Sequence, residues 1–281
     1  MTVIVTGQPS RPRKGRKKIA ATRVPKGPEV EYRNSLLALN RLLKAQTALI
    51  SAAVTDGATP LQVRQMLDQM IAEANERFDV AAAQIAPSNI NRLSRANKER
   101  VERSLRNAIG VDAAQILDSD AVRDQIELAV AENVGLIKSI PEQHHAKVAQ
   151  AVFNNFRGEK FEEGSLANRL KALGAQTDRR AKFIARDQTA KFTASVNEIR
   201  QNDAGIVGYI WRNSQDRRVV GNPAGPYKPT RAHGNHWERE GKFFRWDDPP
   251  GDGHPGQAIG CRCFPEPVVD FNQLQQQMIV V

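Results

Sequence analysis

The chain changes character at residues 203–211, which read Asp-Ala-Gly-Ile-Val-Gly-Tyr-Ile-Trp. Residues 203–205 carry the Asp and Gly that favour a turn, whereas residues 206–211 are rich in the β-branched and aromatic residues of strands. Apolar residues recur at helical spacing before this point, and Gly and Pro are frequent after it. The sequence therefore predicts an α+β fold that is mainly α, with a small β-containing, loop-rich module at residues 205–269. Val219-Val220 could pair with the first strand of this module.

Amphipathic helices are predicted over most of the chain before residue 203, because apolar residues recur every three or four positions. Asp56-Gly57, Pro60, Pro87 and Pro141 are taken as helix boundaries. The predicted helices cover 29–54, 59–85, 88–108, 112–131, 133–140, 141–157, a short segment after Ser165, and 178–201. We expect residues 29–132 to form a helical arm or bundle, residues 133–204 a second helical part, and residues 270–281 a C-terminal tail.

The net charge of +10 is concentrated at the N-terminus. Residues 1–28 contain eight basic residues and no acidic one, which leaves 33 Lys and Arg against 31 Asp and Glu in the rest of the chain. With several Pro and Gly and few apolar residues, this stretch is expected to be a disordered basic tail. Such a tail can contact nucleic-acid phosphates or an acidic protein partner, or it can have no specific partner. The contact candidates are Arg11, Arg13, Lys14, Arg16, Lys17, Lys18, Arg23 and Lys26.

Four polar residues, Arg186-Asp187-Gln188-Thr189, interrupt the apolar pattern of the last predicted helix. One interpretation is a solvated helix face. The other is a structural polar network that docks the segment following the helix. The pattern alone leaves both open.

Residue types that often build specific sites are concentrated after residue 205: both cysteines, all three tryptophans and three of the five histidines. His236, His254, Cys261 and Cys263 supply two imidazoles and two thiols, which is the ligand set of a closed structural zinc site. One residue separates the two cysteines, however, whereas zinc knuckles usually place about two to four residues between theirs. A zinc site, and buried thiols beside hydrogen-bonded histidines with no cofactor required, both remain open.

Catalysis is the competing interpretation of the same cluster. A histidine with Asp216, Asp247, Asp248 or Asp252 could act as general base in a metal-assisted nuclease, with a phosphate held by Arg217, Arg218 and Arg231. The sequence has no nucleophile elbow, phosphate loop or HExxH motif. We therefore expect a protein that is not an enzyme. The alternatives are a metal- or His-dependent nuclease and a non-catalytic nucleic-acid-binding scaffold.

Several motifs in order resemble the phage Mu F-like minor head protein family, also called phage head morphogenesis proteins. The similarity spans about residues 133–267, from Leu136-Ile137-Lys138-Ser139-Ile140-Pro141 onward. The chain departs from the family pattern at Gln188, where an acidic residue is usual, and in a Gly- and Pro-rich insertion at 221–229. The motifs are Arg186-Asp187-Gln188-Thr189, Gly208-Tyr209-Ile210-Trp211, Ser214-Gln215-Asp216-Arg217-Arg218, His236 five residues before Gly241, His254-Pro255-Gly256 and Cys261-Arg262-Cys263.

This resemblance implies a minor capsid protein of a tailed phage or prophage, associated with the portal protein and acting in head assembly or early DNA passage. Its expected location is the virion, in the head interior or at the portal vertex, after assembly in the host cytoplasm. Further expected partners are the major capsid or scaffolding protein, and phage DNA through the N-terminal tail. The resemblance assigns a structural role to Arg186, Thr189, Trp211, Asp216, Arg218, His236 and Gly241.

Membrane and secretory classes are not expected. No apolar run approaches the roughly 20 residues needed to span a bilayer, and no apolar core of a signal peptide follows the first basic residues. Two cysteines one residue apart make an intrachain disulfide sterically unfavourable, so both thiols are expected to be reduced.

Overall fold

The computed structural model describes residues 3–5, 16–109, 116–231, 233–270 and 278–280. Its helices are α1 (Lys26–Thr55), α2 (Pro60–Ile109), α3 (Asp120–Phe156) and α4 (Leu166–Asp203), with a 3-10 turn at Ile116–Asp118. Its strands are β1 (Val3–Val5), β2 (Arg16–Lys18), β3 (Gly208–Arg212), β4 (Phe243–Arg245), β5 (Phe264–Asp270) and β6 (Met278–Val280). The predicted mainly α member of the α+β class is confirmed.

The helices are longer than predicted because two prolines do not end them. Pro87 lies inside α2 and Pro141 inside α3. Proline removes one backbone hydrogen-bond donor from a helix. Here the apolar side chains beside each proline are packed in the core, which stabilises the helix: Ala86, Ile90 and Ile140 are all at most 1% exposed. The predicted breaks at these prolines, and between the Ser165 segment and residue 178, are therefore wrong. Tertiary packing overrides the local signal.

The chain divides into two compact units, and each consists of separate sequence segments. Residues 27–89 and 130–186 form the helical unit, whereas residues 1–26, 90–129 and 187–281 form the terminal unit. The expected divisions at 28/29 and 132/133 lie close to the changes at 26/27 and 129/130, whereas 204/205 lies within the terminal unit. The changes at 89/90, 129/130 and 186/187 fall inside helices α2, α3 and α4, where turns and linkers give no signal.

The helical unit has an apolar core that α1, α2, α3 and α4 all contribute to. Leu36 and Leu43 of α1 pack with Phe78 of α2 and Ile137 of α3, and all four are fully buried. A buried hydrogen bond also joins α1 to α3, because the Tyr32 hydroxyl donates to Asn133 Oδ1 at 2.7 Å. Among the described residues, no helix is both long and apolar enough to cross a membrane.

The terminal unit contains an antiparallel sheet in the order β2-β5-β3-β4. Tyr209 of β3 is paired with Pro267 of β5 on one side and with Phe244 of β4 on the other. Val219 and Val220 lie in turns, so the suggested pairing with β3 is wrong. The separate pair β1 and β6 is parallel, which places Met278–Val280 of the expected C-terminal tail in a strand.

The expected disordered tail is wrong for residues 16–26. Strand β2 pairs with β5, and Ile19 is only 2% exposed, in a cluster with Val101 and Leu105 of α2. Side chains of the helices also bind its backbone: Arg100 Nη1 donates to the Arg23 carbonyl at 2.8 Å. A few well-placed apolar and backbone contacts order this segment, although its composition is typical of disorder. Residues 27 and 28 belong to helix α1.

Candidate metal centre

The candidate centre lies in the terminal unit beside strands β3 and β5. Cys261 and Cys263 lie in the loop that leads directly into β5, which begins at Phe264. Successive side chains of an extended backbone point to opposite sides, so residues two apart share one side. The burial pattern follows this rule, because Cys261 and Cys263 are buried while Arg262 between them is not. A spacing of one residue, which counted against a zinc knuckle, is therefore suited to bringing both sulfurs together here.

His236 completes the group from the loop that precedes β4. Its Nδ1 lies 3.5 Å from Cys261 Sγ and 3.5 Å from Cys263 Sγ. All three residues are buried, and their potential ligand atoms lie within 4.8 Å of one another. The ring of Trp211, on β3, packs edge-on against the imidazole at a centroid distance of 5.2 Å. The structure thus contains a His/Cys2 set capable of holding a metal ion.

Asp252 holds the opposite side of the His236 ring. His236 Nε2 lies 2.8 Å from Asp252 Oδ2, which also accepts the Gly234 N–H at 2.8 Å. The Asp252 side chain is only 2% exposed, and Arg239 Nη2 lies 2.6 Å from its other oxygen. Burial acts to raise the Asp252 pKa, but the hydrogen bonds from Arg239 and His236 prevail and lower the pKa to about 2. A buried ionised carboxylate therefore faces the imidazole.

The two thiols differ in their surroundings. Cys261 Sγ accepts the backbone N–H groups of Gly256 and Cys263, each at 3.4 Å. The hydrogen bond with Cys263 lowers the pKa of Cys261 against the opposing effect of burial, and His236 lowers it further. The same thiol pair raises the pKa of Cys263, as does burial. Burial lowers the pKa of His236, but the contacts with Cys261 and Asp252 outweigh it and the pKa is raised.

His254 is not part of this group, so its predicted role as fourth zinc ligand is wrong. Its Nδ1 lies 2.8 Å from the Tyr209 hydroxyl, and its Nε2 faces Glu198 at 3.6 Å. The ring also packs on Trp246, with centroids 4.7 Å apart. His254 instead lies between β3, α4 and the loop before Cys261, with Nδ1 within hydrogen-bond distance of Tyr209 and Nε2 facing Glu198.

Arg262, which lies between the two cysteines, forms an ion pair with Asp216. Both Arg262 amino groups donate to the Asp216 carboxylate, each at 2.5 Å. These hydrogen bonds lower the Asp216 pKa well below its usual range. Arg218 donates its backbone N–H to the same carboxylate, and its exposed guanidinium lies 3.5 Å away. Asp216 and Arg218 are thus neighbours in the structure.

Asp187, Gln188 and Thr189 of α4 are buried and Arg186 is half-buried, so this stretch is not a solvated face. Asp187 Oδ1 accepts the Gly260 N–H at 2.6 Å and so docks the loop that leads to Cys261. Thr189 is fully buried. Arg186 lies in the helical unit, where its guanidinium group sits 5.5 Å from the Phe183 ring centroid. The interpretation as a docking network therefore applies to Asp187, while the motif as a whole is divided between the two units.

Two glycines of the predicted motifs have positions that few other residues could take. Gly241 has φ +76° and donates its N–H to the Trp211 carbonyl, which turns the chain into β4. Gly256 has φ +96°, and an added Cβ would lie 2.9 Å from Ala194 Cβ on α4. The left-handed region strains side-chain-bearing residues. The loops that carry the centre depend on these two positions.

The structure separates the predicted basic contacts into three groups. Arg11, Arg13 and Lys14 lie outside the described residues. Arg16 and Lys17 belong to β2, and Lys18 is exposed, with Nζ 3.9 Å from Glu266. Arg23 places its guanidinium 4.7 Å from the centre of the Phe264 ring, and Lys26 is the first residue of α1. None of the described members of this set lies in the His/Cys2 group.

Sequence reasoning missed the residues that support the centre. Asp252 was one of four aspartates considered as partners of a histidine, and nothing in the pattern singled it out. The sequence pattern also gives no signal for Arg239. Its Nη2 lies 2.6 Å from Asp252 Oδ1, and its guanidinium carbon lies 4.8 Å from the centre of the Trp211 ring. No motif signals such outer contacts, because they join distant loops.

The chain is similar in sequence to one protein from a bacterium. A Haemophilus influenzae protein described as uncharacterized is 35% identical over 195 residues, which is 68% of this chain and 40% of the relative. This chain therefore matches less than half the length of that relative. No protein-family model matches the chain, and no solved structure matches it.

Proposed function

We propose that this chain is a minor capsid protein of a tailed phage or prophage, which associates with the portal protein and acts in head assembly or early DNA passage. The observation that carries the proposal is that motifs far apart in sequence contact one another in the terminal unit. Asp187 binds Gly260, Asp216 binds Arg262, and His236 contacts both Cys261 and Cys263. The motifs that resemble those of Mu F-like proteins therefore belong to one packed module, and this shared location supports the proposal.

A structural role of the cluster fits its contacts better than catalysis. A general base needs a ring nitrogen that can reach a substrate proton. Both nitrogens of His236 and both of His254 already face protein groups, and the two rings are each 4% exposed. The Asp216 carboxylate is occupied by Arg262. These contacts support a protein that is not an enzyme.

A zinc ion belongs to this proposal as a structural component of the terminal module. The His/Cys2 group is its site, and the ion would add to the hydrogen bonds that join the loops. Its proposed role is to hold the terminal module together within the assembled head.

The helical unit offers the surface for portal docking in this proposal. Leu49 and Leu61 are 59% and 67% exposed, while Leu36, Leu43 and Leu67 lie in the core. A contiguous exposed apolar patch is typical of a partner contact, and we propose Leu49 and Leu61 as members of such a patch. Phage DNA, and the major capsid or scaffolding protein, are further proposed partners. DNA contact is assigned to the N-terminal basic residues.

The direct test is co-expression with the portal protein of the same phage or prophage, followed by purification of portal rings through a tag on the portal. We expect this chain to travel with the rings and to be present in both empty and DNA-filled particles. A chain absent from rings and from both kinds of particle would overturn the proposal. Hydrolysis of DNA by the purified chain with a divalent metal would favour the nuclease alternative instead.

A further inference from the structure

We infer that His236 Nδ1, Cys261 Sγ and Cys263 Sγ bind one zinc ion, and that Asp252 positions the histidine from outside the coordination shell. This ion would give the terminal module the structural role proposed above, and its biological meaning rests on that proposed function. Its chemistry is independent of the portal, so it can be tested on the purified chain.

The distances within the group match a tetrahedral zinc site. Zinc bonds of about 2.3 Å to sulfur and about 2.0 Å to nitrogen place the two ligand atoms about 3.5 Å apart. His236 Nδ1 lies at 3.5 Å from each of the two sulfurs. One ring nitrogen has a single lone pair or a single N–H, so without an ion it would have to divide one hydrogen bond between the two sulfurs. A shared ion accounts for both.

Asp252 supplies the outer contact that metal-bound histidines usually have. An Nε2–H donated to Asp252 leaves the Nδ1 lone pair directed at the sulfurs, which is the tautomer a metal requires. Gly234 and Arg239 fix the carboxylate in turn. The histidine is therefore held in the ligating orientation by a chain of buried contacts.

The thiol side is also arranged for a metal. The backbone N–H groups of Gly256 and Cys263 point at Cys261 Sγ, and such donors stabilise a thiolate. Two thiolates and a neutral imidazole balance the double charge of zinc, so the buried site carries no net charge. Arg262 is held away from the sulfurs by Asp216. Within the described part of the chain, these three residues are the only His, Cys, Asp or Glu group close enough to share an ion.

The described residues supply three protein ligands, so the fourth tetrahedral position is not filled by any of their His, Cys, Asp or Glu side chains. His254 does not fill it, because its ring nitrogens face Tyr209 and Glu198. The site therefore has three protein ligands, whereas the sequence predicted four. The number of ligands can be measured.

The first experiment measures metal content and ligand type on the full chain with its thiols kept reduced. We expect one zinc per chain by mass spectrometry of the eluted metal. The cobalt(II)-substituted protein should show thiolate-to-metal absorption with the intensity of two sulfur ligands. Cys261→Ser and Cys263→Ser should each remove about half of this absorption, whereas His254→Asn, as the control, should retain it. A wild-type chain that binds neither metal, or cysteine variants that bind both unchanged, would overturn the inference.

The second experiment tests Asp252 as the positioning residue. Asp252→Asn should weaken zinc binding about 10- to 100-fold in competition with a chromogenic chelator while the cobalt spectrum keeps two sulfur ligands. Asp247→Asn is the matched control, because Asp247 is exposed and pairs only with Arg245 at 2.7 Å in the described contacts. Equal affinities of the two variants would remove Asp252 from the site. Loss of portal association by a zinc-loaded chain would count against the proposed function and not against the ion.

Discussion

At the scale of single residues, the alternation of burial around Arg262 explains why the chain uses so short a cysteine spacing. Two cysteines separated by one residue point to the same side only when the backbone between them is extended. The backbone enters strand β5 directly after Cys263, and Arg262 is tied outward to Asp216. The same two residues on a helix would diverge, because neighbours on a helix face are three or four positions apart.

Gly256→Ala should destabilise the terminal unit by about 1–3 kcal/mol, because the residue has φ +96° and its new Cβ would lie 2.9 Å from Ala194 Cβ. Gly251→Ala provides the control, since an added Cβ there meets nothing within 4 Å. Urea unfolding of both variants checks the difference. If the two variants unfold at the same urea concentration, the close packing of Gly256 on α4 is not stabilising.

His144 should make the helical unit sensitive to acid. Its ring lies between the hydroxyls of Thr47 and Thr177, each at 2.8 Å, and burial lowers its pKa to about 4. In the unfolded chain the pKa returns to about 6.5, so the unfolded state binds more protons between these two values. Stability should therefore fall by about 3 kcal/mol as the pH drops from about 6.5 to about 4, and level off below that.

The measurement is urea unfolding at several pH values for the wild type and His144→Asn. The variant is expected to lose hydrogen bonds at every pH but to show a shallower dependence in this window. His233→Asn, in a loop of the terminal unit, is the control and should keep the wild-type slope. An unchanged slope in His144→Asn would show that carboxylates alone produce the acid sensitivity.

At the scale of elements, the second half of the basic tail behaves as a strand of the sheet and not as a free arm. Strand β2 pairs with β5, and the following backbone is bound by Ser104 and Arg100 of α2 and by Asn197 of α4. Basic side chains can thus be displayed on an ordered segment. Electrostatic attraction to phosphates needs charge and exposure but not disorder.

Deletion of residues 2–15 and deletion of residues 2–24 should differ in stability. The longer deletion removes β2 and the buried Ile19, and we expect it to cost at least the roughly 2–5 kcal/mol of an Ile-to-Ala change in a core. The shorter deletion leaves both in place and should unfold more nearly like the full chain. Thermal and urea unfolding of the two deletions check this. Equal stability would show that β2 adds nothing to the sheet.

At the scale of the whole molecule, each compact unit is assembled from segments that are distant in sequence. Function can accordingly be divided between units: a helical unit with exposed apolar side chains, and a terminal unit that contains the His/Cys2 group. The proposed division assigns portal docking to the first and a structural ion to the second.

Leu49→Glu and Leu61→Glu should weaken co-purification with portal rings at least tenfold while leaving the unfolding midpoint nearly unchanged. Both side chains are more than half exposed, so a charge there costs little in the free chain but much in an apolar interface. Leu128→Glu is the control, because Leu128 is 54% exposed and lies in the terminal unit. Undiminished association of the first two variants would place the docking surface elsewhere.

The local pattern of residues by itself determined the fold class, the approximate extent of the helices and the position of the β-containing module. These follow from periodicity and composition, which act over a few residues. It also placed His236, Cys261 and Cys263 together as metal candidates from their chemistry alone. Only the tertiary structure removed His254 from that set, supplied Asp252, and ordered residues 16–26. Those outcomes depend on which distant groups meet: Tyr209 and Glu198 at His254, Asp252 at His236, and α2 at Ile19. A single sequence does not record such distances, because long-range packing and not local propensity decides them.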